Sequence, residues 1–272
     1  MEIRLKEGFE KSYKFTNKKY SKMLYNDEEK EIKLEVEALY KVYTSATGAV
    51  RVDFTEDSIT SEDSLSILLN ECNEMFRIMV FETDEIGKIQ KLINKEKILG
   101  RIKLFRIENP KKYDLQIEKD ILVSISEAYV EALKIPNFEE RFLDSGVIGI
   151  MFSGIYGNYD GGSRRVKRDL RNVFSIPLAV DIHQEITRHL GNNEIKLTVN
   201  GILDDVYLKE FEIHEIMKKQ LGYEKNGIKL SYLGNYKLEL DTGFIKEANL
   251  TTKFQYGDNY IIQLNSEMVQ NG

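Results

Sequence analysis

Between Glu31 and Ala38 the chain alternates without a break: Ile32, Leu34, Val36 and Ala38 are apolar, whereas Glu31, Lys33, Glu35 and Glu37 are charged. Successive side chains of a strand point to opposite faces, so a period of two over this length predicts a half-buried strand in an antiparallel sheet. The pattern covers residues 30–43, and residues 9–16 supply a neighbour of the same kind. Ala46-Thr47-Gly48 is a turn signal, after which Val50, Val52 and Phe54 resume the alternation, predicting a hairpin. MFRIMVFET and KIQKLIN repeat the design around Asp84-Glu85-Ile86-Gly87. Residues 1–94 therefore read as a β meander.

The period changes over residues 95–145. Ile98, Ile102 and Phe105 recur at helical spacing, and Ile121, Ile125, Ala128, Tyr129 and Ala132 form one stripe ahead of Pro136. NFEERFLDSG is read as a further short helix ending at Gly146. The apolar run VIGIMFSGIYG reads as strand-like and opens a Gly- and Arg-rich insertion over 146–176, expected to be a surface loop or helix start. After Pro177, IPLAVDIHQEI and NEIKLTVNGIL return to the strand pattern, while 204–221 fits helix and strand templates equally. Residues 177–272 form a second β region, its closing strands punctuated by Leu233-Gly234-Asn235, Asp241-Thr242-Gly243 and Gly257-Asp258-Asn259, each read as a turn. Strands, then helices, then strands, with no Pro/Ser-rich linker, predict a single α+β domain over 1–272 with mostly antiparallel pairing.

Composition removes several function classes. The one cysteine, Cys72, can make neither an intramolecular disulfide nor a multi-thiolate zinc site and is expected in the core. His183 and His189 are six residues apart and His214 stands alone, which fits neither HExxH nor a zinc finger. No metal and no cofactor is expected. MEIRLKEGFEKSYKF has no apolar stretch of signal-peptide type, and no segment has a bilayer-spanning apolar length. A soluble, cytoplasmic protein is the expectation, or a periplasmic or surface one if a leader has been removed. The 39 basic and 45 acidic residues give a net charge of −6, which argues against general nucleic-acid binding.

That average hides one basic cluster. Arg164, Arg165, Lys167, Arg168 and Arg171 fall within eight residues, and four of them are Arg in a chain where Lys outnumbers Arg by 28 to 11. Arginine pairs carboxylates and phosphates in a bidentate manner, so this segment, with Tyr156 and Tyr159, is the candidate surface for a protein partner carrying acidic groups. The preceding glycines have the spacing of a phosphate-binding loop from Gly157 to Gly162, but Ser163 and Arg164 stand where that loop needs Lys and Ser or Thr. Asp204-Asp205 and Glu139-Glu140 are adjacent in sequence, so their carboxylates diverge and cannot share a proton. No GxSxG nucleophile signal occurs. No catalytic residue is assigned.

GNYKLELDTGFIKEANLTTKF (234–254) resembles the closing hairpin of half-barrel proteins of the LolA-like lipoprotein-carrier type. The amino-terminal hairpin, with MFRIMVFETDEIGKIQKLINKEKI, resembles a β-rich bacterial lipoprotein family of uncharacterised role. The likeness covers residues 1–105 and 226–265, and the chain departs from it in lacking a signal peptide and a lipobox cysteine. The resemblance implies a curved, half-barrel-like sheet packed around helices and a binding role without catalysis. The expectation is thus a non-enzymatic binding protein that engages a protein partner as an adaptor, chaperone or immunity-type factor, in the setting of a bacterial secretion or toxin system. The alternatives are a carrier of an apolar ligand or lipid and an enzyme whose site the sequence does not betray.

Overall fold

A computed structural model describes residues 1–25, 28–61, 72–84, 88–112, 116–136, 138–141, 146–171, 174, 176–189, 191, 193–205, 208–222 and 227–271. The strands are β1 (Glu2–Ile3), β2 (Glu10–Tyr25), β3 (Glu28–Thr44), β4 (Ala49–Ser61), β5 (Ile78–Thr83), β6 (Ile89–Leu92), β7 (Gly157–Asn158), β8 (Ser163–Leu170), β9 (Leu178–His189), β10 (Glu194–Leu203), β11 (Ile228–Glu239), β12 (Ile245–Tyr256) and β13 (Tyr260–Asn271). The helices are α1 (Lys95–Glu108), α2 (Gln116–Lys134), α3 (Gly146–Met151) and α4 (Glu210–Leu221).

Eleven strands form one curved, open sheet in the order β6-β5-β4-β3-β2-β13-β12-β11-β10-β9-β8, with every neighbouring pair antiparallel. Each step joins strands consecutive in sequence except β2 to β13, where the two ends of the chain meet in mid-sheet. β1 and β7 pair separately. The architecture is α+β and mostly antiparallel, and the sheet does not close into a barrel. No described helix is long and apolar enough to cross a membrane.

The alternation of β2 and β3 sorts their side chains. On the outer face Lys14, Lys18 and Lys22 meet Glu37, Glu35 and Glu29 at 2.8, 2.9 and 2.5 Å, and the Tyr20 hydroxyl donates to Glu31 at 2.8 Å. Exposed pairs of this kind add little stability. They fix the register, because a slip of one residue would turn the charges inward. On the inner face Tyr13, Phe15, Val42, Val50, Val52 and Phe81 join one core with Ile98, Ile102 and Phe105 of α1, Leu122 and Leu133 of α2, and Val147, Ile148, Ile150 and Met151 of α3. Helix α3 lies against β2, β12 and β13. The amino-terminal segment crosses the β11–β12 turn, where the Lys6 amide donates to the Thr242 carbonyl at 2.8 Å. Gly243 there has φ +72°, and a Cβ on it would collide with the Arg4 carbonyl.

Four expectations are corrected. VIGIM is helical, as α3, because a run buried on every side shows no period from which helix and strand can be told apart. Gly146 opens that helix and does not close one; Phe138–Arg141 is a single 3₁₀ turn, and 142–145 lie outside the described residues. Leu233-Gly234-Asn235 is no turn but the middle of β11. The Arg-rich stretch is an edge strand, β8, where a loop or helix start was expected. The ambiguous 204–221 segment resolves partly into α4, which ends at Gly222 in the left-handed conformation with its amide donating to the Lys218 carbonyl. Asp84 is described, whereas Glu85, Ile86 and Gly87 of its turn lie outside the described residues.

Candidate functional site

The Gly/Arg segment follows α3 through Ser153 and Gly154, pairs with β1 as β7, and turns at Gly161-Gly162 into β8. This is strand, turn and strand. A phosphate loop needs a strand leading into a helix whose amides face the ligand, so the Gly157-to-Gly162 spacing has no such use here.

The pleat of β8 divides the basic cluster. In the antiparallel pairing with β9, Arg164, Val166, Arg168 and Leu170 stand opposite the buried Gln184, Ile182, Val180 and Leu178, so they face inward. Arg164 donates through Nη1 to the Tyr156 carbonyl, and its guanidinium lies 5.9 Å from the centre of the Tyr159 ring. Arg165, Lys167 and Arg171 face outward, each near a carboxylate: Asp181 at 3.9 Å, Asp204 at 2.7 Å and Asp169 at 4.0 Å. Tyr156 and Tyr159 are 2% and 0% exposed. The seven residues assigned to a partner surface thus lie partly in the interior, and the outward cations have acidic neighbours of their own.

Inside, these residues build a polar layer. The Tyr159 hydroxyl donates to the Ile155 carbonyl at 2.7 Å and lies 3.0 Å from Gln184 Oε1, and the Tyr236 hydroxyl donates to Ser153 Oγ at 3.0 Å. Burial pushes the phenols of Tyr13, Tyr156, Tyr159 and Tyr236 well above their ordinary range; Arg164 opposes the shift at Tyr159, as Ser153 and Arg168 do at Tyr236. They remain neutral, and the hydroxyls of Tyr159 and Tyr236 hold the segment in place. Beneath α3 a cavity of about 20 Å³ is lined by Gly146, Gly149, Arg168, Thr252, Leu264 and Ser266, among others. Its volume suits a water molecule and excludes an organic ligand.

The larger feature is the inner face of the sheet beyond α3. The registers across β11, β12, β13, β2 and β3 contain no irregularity between these rows, so the row Tyr232, Thr252, Leu264, Lys19, Leu34 is followed toward the β2–β3 hairpin by Leu230, Phe254, Ile262, Ser21, Ile32 and by Ile228, Tyr256, Tyr260, Met23, Lys30. Met23, Ile32, Leu34, Ile262 and Leu264 are half-buried, whereas Phe15, Ala38 and Met268 farther along the same face are buried. On one side the floor meets an aromatic wall: Phe174 stacks on Phe254 at 5.0 Å and meets Tyr260 at 6.3 Å. Behind it α4 buries Ile213 and Met217, and His214 Nδ1 lies 2.6 Å from the Tyr256 hydroxyl. The sequence displays this floor as the apolar phase of the β3 alternation, but not which part of it a helix covers.

The remaining candidates are dispersed. Cys72 is buried. His183 is exposed on β9, and among the described residues no three His, Cys, Asp or Glu side chains come together in a manner that would hold a metal ion.

No family model matches the chain, and no curated protein matches it. Among solved structures it is similar to lipovitellin, in a structure described as lipid-protein interactions in lipovitellin, with a TM-score of 0.54 and 10% identity over 98% of this chain. The chain spans 25% of that lipovitellin chain. At this identity the likeness is one of fold. A second match, DynF from the dynemicin biosynthesis pathway of Micromonospora chersina, has a TM-score of 0.21 and 7% identity, covering 99% of this chain and 83% of the other, too low to bear on the fold.

Proposed function

We propose that this protein is a non-enzymatic carrier that holds an apolar ligand against the inner face of its sheet. One observation carries the reading: past the part buried under α3 the inner face keeps a set of half-buried apolar side chains, Leu264, Ile262, Leu34, Ile32 and Met23, interrupted by Lys19 and Ser21 of β2. An apolar patch of this kind on a polar-backed sheet marks a binding surface. The outer face of the same strands carries the lysine–glutamate pairs, so the asymmetry belongs to the sheet and not to general hydrophobicity. The fold likeness to lipovitellin, a protein described by its lipid interactions, is in keeping with this, as is the hairpin pattern resembling LolA-like carriers.

Docking of a protein partner takes second place. Of the residues assigned to it, Arg165, Lys167 and Arg171 are at the surface, and acidic neighbours lie beside all three.

The test is saturable binding of an environment-sensitive fluorescent alkyl probe to the purified protein, displaced by unlabelled long-chain alcohol. Ile262→Asp, which puts a carboxylate in the middle of the floor, should abolish the signal while the protein keeps its circular dichroism spectrum. A wild-type protein that shows no saturable signal would remove the carrier reading.

A further inference from the structure

One polar band crosses the inner face, which elsewhere over these rows is apolar but for Ser21 and, at the hairpin end, Lys30. Thr252 stands beside Leu264, Leu264 beside Lys19 and Lys19 beside Leu34; in the next row Leu250 is followed by Ser266, Asn17 and Val36. Ser266 Oγ and Asn17 Oδ1 are 3.0 Å apart. Arg168 reaches the same place from β8, since it lines the small cavity with Thr252, Leu264 and Ser266.

Lys19 is the distinctive member. The outward lysines of its strand, Lys14, Lys18 and Lys22, each have a glutamate. Lys19 points the other way, half-buried between two leucines, and among the described residues no carboxylate stands within ion-pairing distance of it. A half-buried ammonium in apolar surroundings is costly unless an anion joins it. On the hairpin side of the band the rows are mainly apolar, through Phe254, Ile262, Ile32, Met23 and Tyr260, with Ser21 among them and Lys30 at the end of β3. From Lys19 to Met23 the strand advances roughly 13 Å at about 3.3 Å per residue, the length of a medium alkyl chain.

We infer that the carried ligand is a monomeric anionic amphiphile, a single-chain carboxylate, whose head pairs with Lys19 in the Asn17–Thr252–Ser266 band and whose chain lies toward the hairpin over the half-buried Ile262, Ile32 and Met23. This rests on the carrier reading and adds the chemistry and direction of the ligand. A lysine ammonium is a point charge suited to such a head, and the Thr252 hydroxyl adds a donor, while Ser266 gives its own to Asn17 Oδ1 and so orients the Asn17 amide.

The experiment compares dodecanoate with dodecanol in displacing the alkyl probe from the wild type and from Lys19→Met, Lys19→Arg and Lys18→Met. Lys19→Met keeps the apolar stem and removes the charge. It should weaken dodecanoate roughly tenfold, the scale of a partly buried ion pair, and leave dodecanol unchanged. Lys19→Arg should restore most of the dodecanoate affinity, and Lys18→Met, on the opposite face, should alter neither ligand. If both ligands bind the wild type and Lys19→Met loses neither, the head-group assignment fails while the carrier reading stands. If neither ligand binds, the carrier reading itself fails. Flotation with anionic phospholipid vesicles, abolished by Lys19→Met and without dodecanoate binding, would overturn the inference in favour of a membrane surface.

Discussion

A buried hydroxyl lowers stability unless it makes a hydrogen bond, and the tyrosines beneath residues 153–168 fall on both sides of that divide. Tyr236 donates to Ser153, whereas the hydroxyls of Tyr13 and Tyr156 have no partner among the described residues. Removing the oxygen should therefore have opposite signs. Tyr236→Phe strands Ser153 and should lower the unfolding free energy by about 1 kcal/mol, while Tyr13→Phe and Tyr156→Phe should leave it unchanged or raise it by up to about 1 kcal/mol. Urea titration of the three variants decides this. A clear loss in Tyr13→Phe would mean that its hydroxyl is bonded after all, by an ordered water. Because burial raises all these phenols, they stay protonated well above neutral pH, and the comparison holds at any ordinary buffer pH.

At the scale of elements, glycine marks the places where packing overrode local signals. Gly234 reads as a turn but lies within β11, where a Cβ would sit 3.0 Å from the Tyr236 ring and 3.2 Å from Leu250. Gly201 in β10 is tighter still, with Val180 at 2.9 Å and Tyr232 at 3.0 Å. Such glycines let large neighbours close over a strand. Gly201→Ala should cost about 1 to 3 kcal/mol by overpacking. Gly100→Ala, at an exposed position of α1 with nothing within 4 Å of the added Cβ, should gain about 0.5 to 1 kcal/mol. Thermal melts of the pair check both signs. The same contrast explains what the chain revealed before folding. The β3 alternation was legible because one of its faces meets solvent, and so was the helical stripe of α1. The α3 run was not, since it is buried all round, and the inward turn of Arg164 and Arg168 depended on β8 being a strand. Lys19 carried no signal at all: in the sequence it is one lysine of the pair Lys18-Lys19, and only the register separates the paired cation from the inward one.

At the scale of the molecule, the one contact within the eleven-stranded sheet between strands remote in sequence is decisive. β13 lies between β2 and β12, so the last strand joins a five-strand amino-terminal half to a five-strand carboxyl-terminal one. Its Tyr260, Ile262, Leu264, Ser266 and Met268 contribute the middle column of the inner face, including two members of the ligand floor and one of the polar band. Without it, β2 and β12 would become apolar-faced open edges, and α3, which rests on β2, β12 and β13, would lose its seat. The edge strand β6 is four residues long and has one neighbour, so its loss should be local. Deleting residues 259–272 should consequently abolish the cooperative urea transition expected of the intact chain and eliminate alkyl-probe binding with it. The measurement is unfolding followed by circular dichroism and tyrosine fluorescence together. A truncated protein that still unfolds in one sharp transition near the wild-type midpoint would mean that the two halves fold without their shared strand, and that the inner face is two surfaces and not one.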